Sequence, residues 1–193
     1  AKHWTKGQSR QTFIREASSC WPISLSEFDR DPWLLNCLNG TLDLHTRELR
    51  PHNPEDRITM LANVEYDPSA RCERWERFVR EIMEPQVCEA GKKESTGVEK
   101  AGFLQRYLGY CICGSTKEET LLIMLGESTR NGKSTAMDTL LALLGDYGRA
   151  APPETVAFSR DQNGDRPTEN VARLAGARLV SVAEFPDNTK LNA

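Results

Sequence analysis

One ten-residue stretch limits what this chain can fold into. It is Gly126 to Thr135, reading GESTRNGKST. The apolar run Thr120-Leu121-Leu122-Ile123-Met124-Leu125 enters it, and a helix with apolar periodicity, starting near Ser134, leaves it. Strand, glycine-rich loop, Lys-Ser-Thr and helix is the arrangement of a phosphate-binding loop. Gly132 lets the backbone approach phosphate oxygens where a side chain would clash. Successive N–H groups and the positive end of the helix dipole hold the anion. Lys133 reaches the β- and γ-phosphates, and the Ser134 hydroxyl takes a place on Mg²⁺. The expected ligands are ATP and Mg²⁺, held by Gly126, Asn131, Gly132, Lys133, Ser134 and Thr135. Five residues separate Gly126 from Gly132, one more than the usual spacing, which predicts a bulge near Thr129-Arg130. The bland alternative is a chance Gly-Lys-Ser at a helix-start turn.

A second feature follows at Arg178-Leu179-Val180-Ser181-Val182-Ala183-Glu184. An apolar strand that ends in a carboxylate, after a phosphate loop, is what a Walker B element needs. The strand is expected beside Thr120–Leu125 in a parallel sheet, with the acid at the C-terminal edge where such sheets bind ligands. Glu184 would orient the Mg²⁺ hydration shell or polarise the attacking water, and the sequence does not separate the two roles. Glu184 and Lys133 are the candidate catalytic residues, and Ser134 and Glu184 the candidate metal residues. The bland reading is a strand with a solvated terminal Glu.

The rest of the chain supplies the scaffold. Residues 1 to 30 predict one or two short helices, broken by Pro22 and Pro32. Trp33 to Leu38 and Thr41 to Leu44 flank Asn39-Gly40, a strong hairpin signal. After a turn at His45-Thr46-Arg47, Glu48-Leu49-Arg50 returns, and Ile58 to Tyr66 is a further strand candidate. Residues 69 to 83 predict a helix with Trp75, Phe78, Val79 and Ile82 on its core face. A polar linker over 84–98 ends at Thr96, whose capping box with Glu99 starts a helix showing Phe103, Leu104, Tyr107, Leu108 and Cys111 on one face. Met137, Leu140, Leu141 and Leu144 line the helix after the loop, and Gly145 stops it. Residues 146 to 167 read as loop, and Thr168 to Leu174 as a short helix capped by Thr168.

The fold class is α/β. A helical and β-hairpin N-terminal domain, 1–95, precedes the start of a P-loop NTPase parallel sheet, 96–193. A net charge of −3 makes the whole chain no generic polyanion binder, although a local patch or a ring assembly can supply the field for nucleic acid. Basic Lys2, Lys6, Arg10 and Arg15 are read as a solvated face rather than a nucleic-acid contact. The six cysteines form no Cys-x-x-Cys pair, so free buried or half-buried thiols in a reducing compartment are expected rather than zinc. No stretch reaches the roughly 20 apolar residues that span a bilayer. No signal peptide is evident, and the reading is soluble and cytoplasmic with no membrane partner.

With these residues in view, the chain resembles phage or plasmid primase-helicases, most closely the poxvirus-type group of superfamily 3 helicases. The resemblance covers most of the chain. It rests first on Leu35-Asn36-Cys37-Leu38-Asn39-Gly40-Thr41-Leu42-Asp43-Leu44, then Pro51-His52, Tyr66-Asp67-Pro68 and the Trp75 helix. Leu108-Gly109-Tyr110 and the loop ending Asn131-Gly132-Lys133-Ser134-Thr135 follow, and then Ala177-Arg178-Leu179-Val180 through Glu184 with Leu191-Asn192. Asn before Gly-Lys-Ser-Thr is typical of the group.

The resemblance implies an ATP-dependent helicase, working as a homo-hexameric ring that translocates on single-stranded or forked DNA in the cytoplasm of a bacterial host. It places the DNA-contacting hairpin, a polar sensor and an arginine finger after the Glu184 strand, and any primase site upstream of residue 1. The chain starts in mid-pattern and stops at Leu191-Asn192-Ala193, so the expectation is a fragment. Alone, that fragment would be inactive and bind nucleotide weakly or not at all. Two other classes compete. A phosphotransferase acting on a small molecule would need an acceptor pocket in 146–170 and no DNA stimulation. A non-catalytic nucleotide- or DNA-binding module would keep its function after Lys133→Ala.

Overall fold

The computed structural model describes residues 7–20, 22–84, 96–126, 131–157 and 169–183. It is mixed α/β, with a three-stranded antiparallel sheet and a two-stranded parallel one. Helix α1, Gly7–Cys20, comes first and ends ahead of Pro22. A single 3₁₀ turn follows at Leu25–Glu27, closed by a reciprocal Ser24–Glu27 capping box.

The antiparallel sheet is a meander of β1 (Leu34–Cys37), β2 (Gly40–Asp43) and β3 (Glu48–Arg50). Cys37 pairs with Gly40, so the tight turn is Leu38-Asn39 and the glycine is already in the strand. The reason lies across the sheet. A Cβ on Gly40 would sit 2.5 Å from the Arg50 carbonyl oxygen. The second turn is held by the Asp43 carboxylate, which accepts from the backbone N–H of His45 (2.8 Å) and Thr46 (3.1 Å). Those two bonds hold its carboxyl below the usual range. Ile58 to Tyr66 does not become a strand. It lends isolated bonds instead: the Ala62 N–H donates to Asn36 O (2.8 Å), the Leu38 N–H to Val64 O (2.9 Å) and the Asn63 N–H to Leu143 O (3.0 Å). A segment that bonds alternately to a sheet edge and a helix end cannot form a ladder with either.

Helix α2, Glu73–Met83, buries Val79 and turns Trp75, Phe78 and Ile82 partly inward. Helix α3, Gly97–Ile112, starts on the expected capping box. The Glu99 N–H donates to Thr96 Oγ1 at 3.2 Å, and the Thr96 N–H donates to Glu99 Oε2 at 2.8 Å. The two helices pack on each other, closely enough at Gly97 that a Cβ would lie 2.9 Å from the Arg80 carbonyl. Leu104 and Cys111 are buried as expected, but Phe103 remains 53% exposed.

Helix α4, Lys133–Leu144, carries Met137, Leu140, Leu141 and Leu144 against the core and ends at Gly145. Strand β4, Gly148–Ala151, follows in a region expected to be loop. The one-turn helix α5, Glu169–Ala172, leads to β5, Leu179–Val182. β4 and β5 pair in parallel, Gly148 with Leu179 through Ala151 with Val182. The expected placement of the Leu179 strand beside Thr120–Leu125 is therefore corrected: its partner among the described residues is β4. Thr120–Leu125 itself is not a strand. It has no ladder partner among the described residues, and Leu121, Ile123 and Leu125 are 71%, 60% and 89% exposed.

The core joins both sheets. Leu35, Cys37, Leu42 and Ala62 pack with Cys111, Leu144, Tyr147 and Leu179. Its pivot is the fully buried Tyr147, whose Oη accepts the Asn36 N–H (3.1 Å) and donates to Met60 O (3.3 Å). Arg178 lies over the Tyr147 ring at 4.5 Å and donates to the carbonyls of Ile112 and Leu34, both at 2.6 Å. Burial pushes the Tyr147 hydroxyl up and the Arg178 guanidinium down from their ordinary values. Arginine nonetheless stays charged in proteins, and here carbonyl dipoles and a π face receive that charge.

Candidate functional site

Asn131-Gly132-Lys133-Ser134-Thr135 opens helix α4. Gly132 is the N-cap, with φ 80° and ψ −1°, and offers no side chain to the first turn. The first helical bond runs from the Ala136 N–H to Gly132 O at 2.9 Å. The N–H groups of Lys133, Ser134 and Thr135 precede it, at the positive end of a twelve-residue helix. Such an end presents donors and a favourable field to an anion.

Two features fix the glycine. Its left-handed φ strains any residue with a Cβ. A Cβ there would also approach Ile82 Cγ2 to 2.6 Å and Phe78 Cε2 to 3.2 Å. Helix α2 thus rests on the helix-start turn. Nothing local in the sequence signals that contact, because it joins residues some fifty positions apart.

Lys133 Nζ donates to the Asn131 side-chain oxygen at 2.7 Å. The amide is neutral, so this bond orients the ammonium without neutralising it. Gly126 closes the same cluster: a Cβ on it would meet the Asn131 amide and lie 2.6 Å from Lys133 Nζ. Ser134 and Thr135 are exposed. Gly126, Asn131, Gly132, Lys133, Ser134 and Thr135 are thereby brought together at one helix end. Thr129-Arg130, the expected bulge, and Glu184 lie outside the described residues, as do Cys88 and Thr168.

Cys37, Cys111 and Cys113 are buried free thiols, whereas Cys20 and Cys72 are exposed. Burial raises the Cys37 thiol, and burial followed by the neighbouring Cys113 raises Cys111. A raised thiol stays protonated at neutral pH, the less nucleophilic form. Among the described residues, no group of three or more His, Cys, Asp or Glu side chains could hold a metal ion. Among the same residues, no helix is long and apolar enough to cross a membrane.

Comparison with known proteins adds a class to this geometry. Residues 4–84 match the family described as D5 N terminal like. That stretch runs from α1 through the meander to α2 and is similar to the D5 N-terminal region. A protein of Acanthamoeba polyphaga mimivirus named "Putative helicase" is 23% identical to this chain over 171 residues. The alignment covers 89% of this chain and 17% of the mimivirus protein, so the chain spans under a fifth of that relative's length.

Proposed function

We propose that the complete polypeptide containing this chain is an ATP-dependent DNA helicase of phage or plasmid replication. Residues 1–95 form the domain that precedes the motor, and 96–193 are the first part of a P-loop ATPase core. One observation carries the reading. A D5-like region is followed, in the same chain, by a glycine-capped helix that opens Lys-Ser-Thr. The match to a mimivirus protein extends over both parts.

The residues present fit a nucleoside triphosphate with Mg²⁺. The glycine-capped turn is the kind of concave run of N–H groups that takes phosphate oxygens. Lys133, pre-oriented by Asn131, would neutralise charge between the β- and γ-phosphates. The exposed Ser134 hydroxyl would complete the metal's oxygen shell, for which Mg²⁺ prefers few protein ligands. When bound there, Mg²⁺ would supply charge stabilisation to the transferred phosphoryl group. Glu184 would orient the metal's waters or polarise the attacking one. Single-stranded or forked DNA is the proposed track, and a homo-hexameric ring the proposed assembly.

The test is strand separation by the complete polypeptide on a forked DNA with ATP and Mg²⁺. Unwinding that is lost in Lys133→Ala, while the variant still assembles, is the expected result. Unwinding that survives Lys133→Ala places the motor elsewhere and removes this reading.

A further inference from the structure

A cavity of about 210 Å³ opens beside the helix-start turn. Ile82 and Met83 of α2, Phe103 and Leu104 of α3 and the Leu122–Leu125 run line it. Asn131 and Lys133 also line it, so the cavity adjoins the cluster at the helix-start turn. Lys100 adds a second cation to the lining. Its size is below the roughly 300–1,000 Å³ of pockets that hold whole drug-sized ligands, and suits one ring system of a larger ligand.

The occupant must therefore be anionic at one end and flat and largely apolar at the other. Phe103 supplies a flat face. It sits on the core side of α3 by sequence spacing, yet is 53% exposed, with its ring centroid 6.4 Å from that of Tyr107. An aromatic ring left open beside a phosphate cluster is a stacking surface for a base, since every base has a π-face.

We infer that this cavity seats the base of the nucleotide whose phosphates the glycine turn holds, with Phe103 as its stacking face and Lys100 as a donor to its polar edge. The inference rests on the nucleotide reading above and extends it. Base recognition here comes from α2 and α3, elements ahead of the phosphate loop. Helix α2, the last element of the D5-like region, would then serve nucleotide binding as well as scaffolding.

The experiment is an NMR titration of the complete polypeptide, with labelled Gly132–Thr135 amides, Ile methyls and Phe rings, using Mg²⁺-ATP and, separately, Mg²⁺-tripolyphosphate, carried to millimolar ligand. Expected is movement of the Gly132–Thr135 amides with both ligands, and of the Ile82 methyls and Phe103 ring with ATP alone. Phe103→Ala should weaken ATP about tenfold, as loss of a base stack does, and leave tripolyphosphate unchanged. Phe103→Trp should keep ATP affinity. Truncating a half-exposed ring leaves the Thr96–Glu99 cap and the buried Leu104 in place, so the fold is expected to survive. Loop shifts with both ligands but no ATP-specific shift at Ile82 or Phe103 would overturn the base site and leave the phosphate site standing. Equal weakening of both ligands by Phe103→Ala would overturn it too. No shift at Gly132–Thr135 with either ligand would overturn the phosphate site, and the base site with it.

Discussion

Two regions of this molecule bury polar groups in opposite ways. At the Tyr147–Arg178 junction, each long polar side chain has fixed partners: two hydrogen bonds for the tyrosine hydroxyl, two carbonyls and a ring for the guanidinium. Around the helix-start turn, α2 and α3 leave a cavity, an exposed aromatic ring and a lysine tied to a neutral amide. Satisfied networks specify one structure, and a half-open apolar wall next to an ammonium held by a neutral amide leaves room for a ligand. The first region holds the hairpin sheet to the β4–β5 layer. The second is where chemistry is expected.

The comparison is most easily broken by Arg178→Met. It should destabilise the chain by about 3 kcal/mol, because two carbonyls lose their donor while a π contact is lost. Urea unfolding measures this, and a loss under about 1 kcal/mol would mean the junction is not a fixed network. Tyr147→Phe should cost about 1–2 kcal/mol by leaving the half-buried Asn36 N–H without its acceptor. On the other side, Gly132→Ala should cost about 1–2 kcal/mol from its left-handed backbone alone. Ile82→Ala should cost less in the Gly132→Ala background than alone, because the two groups would otherwise collide. Strict additivity in that cycle would remove the α2 contact.

Alkaline pH sharpens the contrast further. Tyr147, Cys37 and Cys111 all have hydroxyl or thiol groups raised by burial. In the unfolded chain they ionise near their ordinary values, about 8.5 for thiols and about 10 for tyrosine. Their contribution is therefore whole below those values and is lost as pH climbs towards the raised folded ones. The urea midpoint should fall from about pH 8.5 upward, and Tyr147→Phe should flatten the part above about pH 10. A midpoint that rises over that range would contradict the burial of the junction. The smallest effect is kinetic. Amides of Thr120–Leu125 should exchange with solvent much faster than those of Leu179–Val182, and equal protection would mean that the run is a paired strand after all.

What the sequence made legible follows the range of the forces involved. The helix start near Ser134, the Thr96–Glu99 cap and the Gly145 stop are decided within one turn, and these stand as read. The meander was legible because Asn39-Gly40 and the Asp43 turn are local, but its register needed the Arg50 carbonyl across the sheet. Strand β4 was hidden, since Gly-Arg-Ala-Ala has little strand propensity and exists as a strand only by pairing with Leu179–Val182. Thr120–Leu125 erred the other way: an apolar run has the composition of a buried strand, but composition does not provide a partner. The Ile82 contact with Gly132 and the Arg178 donation to Leu34 join distant segments, and no local pattern encodes them. Phe103 sits at a core position of its helix and is half exposed where it lines the cavity.

The central claim is that the Gly132–Thr135 turn works a DNA-driven nucleotide cycle. Steady-state ATP hydrolysis by the complete polypeptide, with and without single-stranded DNA, tests it beside Lys133→Ala. The account predicts hydrolysis stimulated by DNA and abolished by the substitution. Hydrolysis indifferent to DNA, or undiminished in Lys133→Ala, would contradict it.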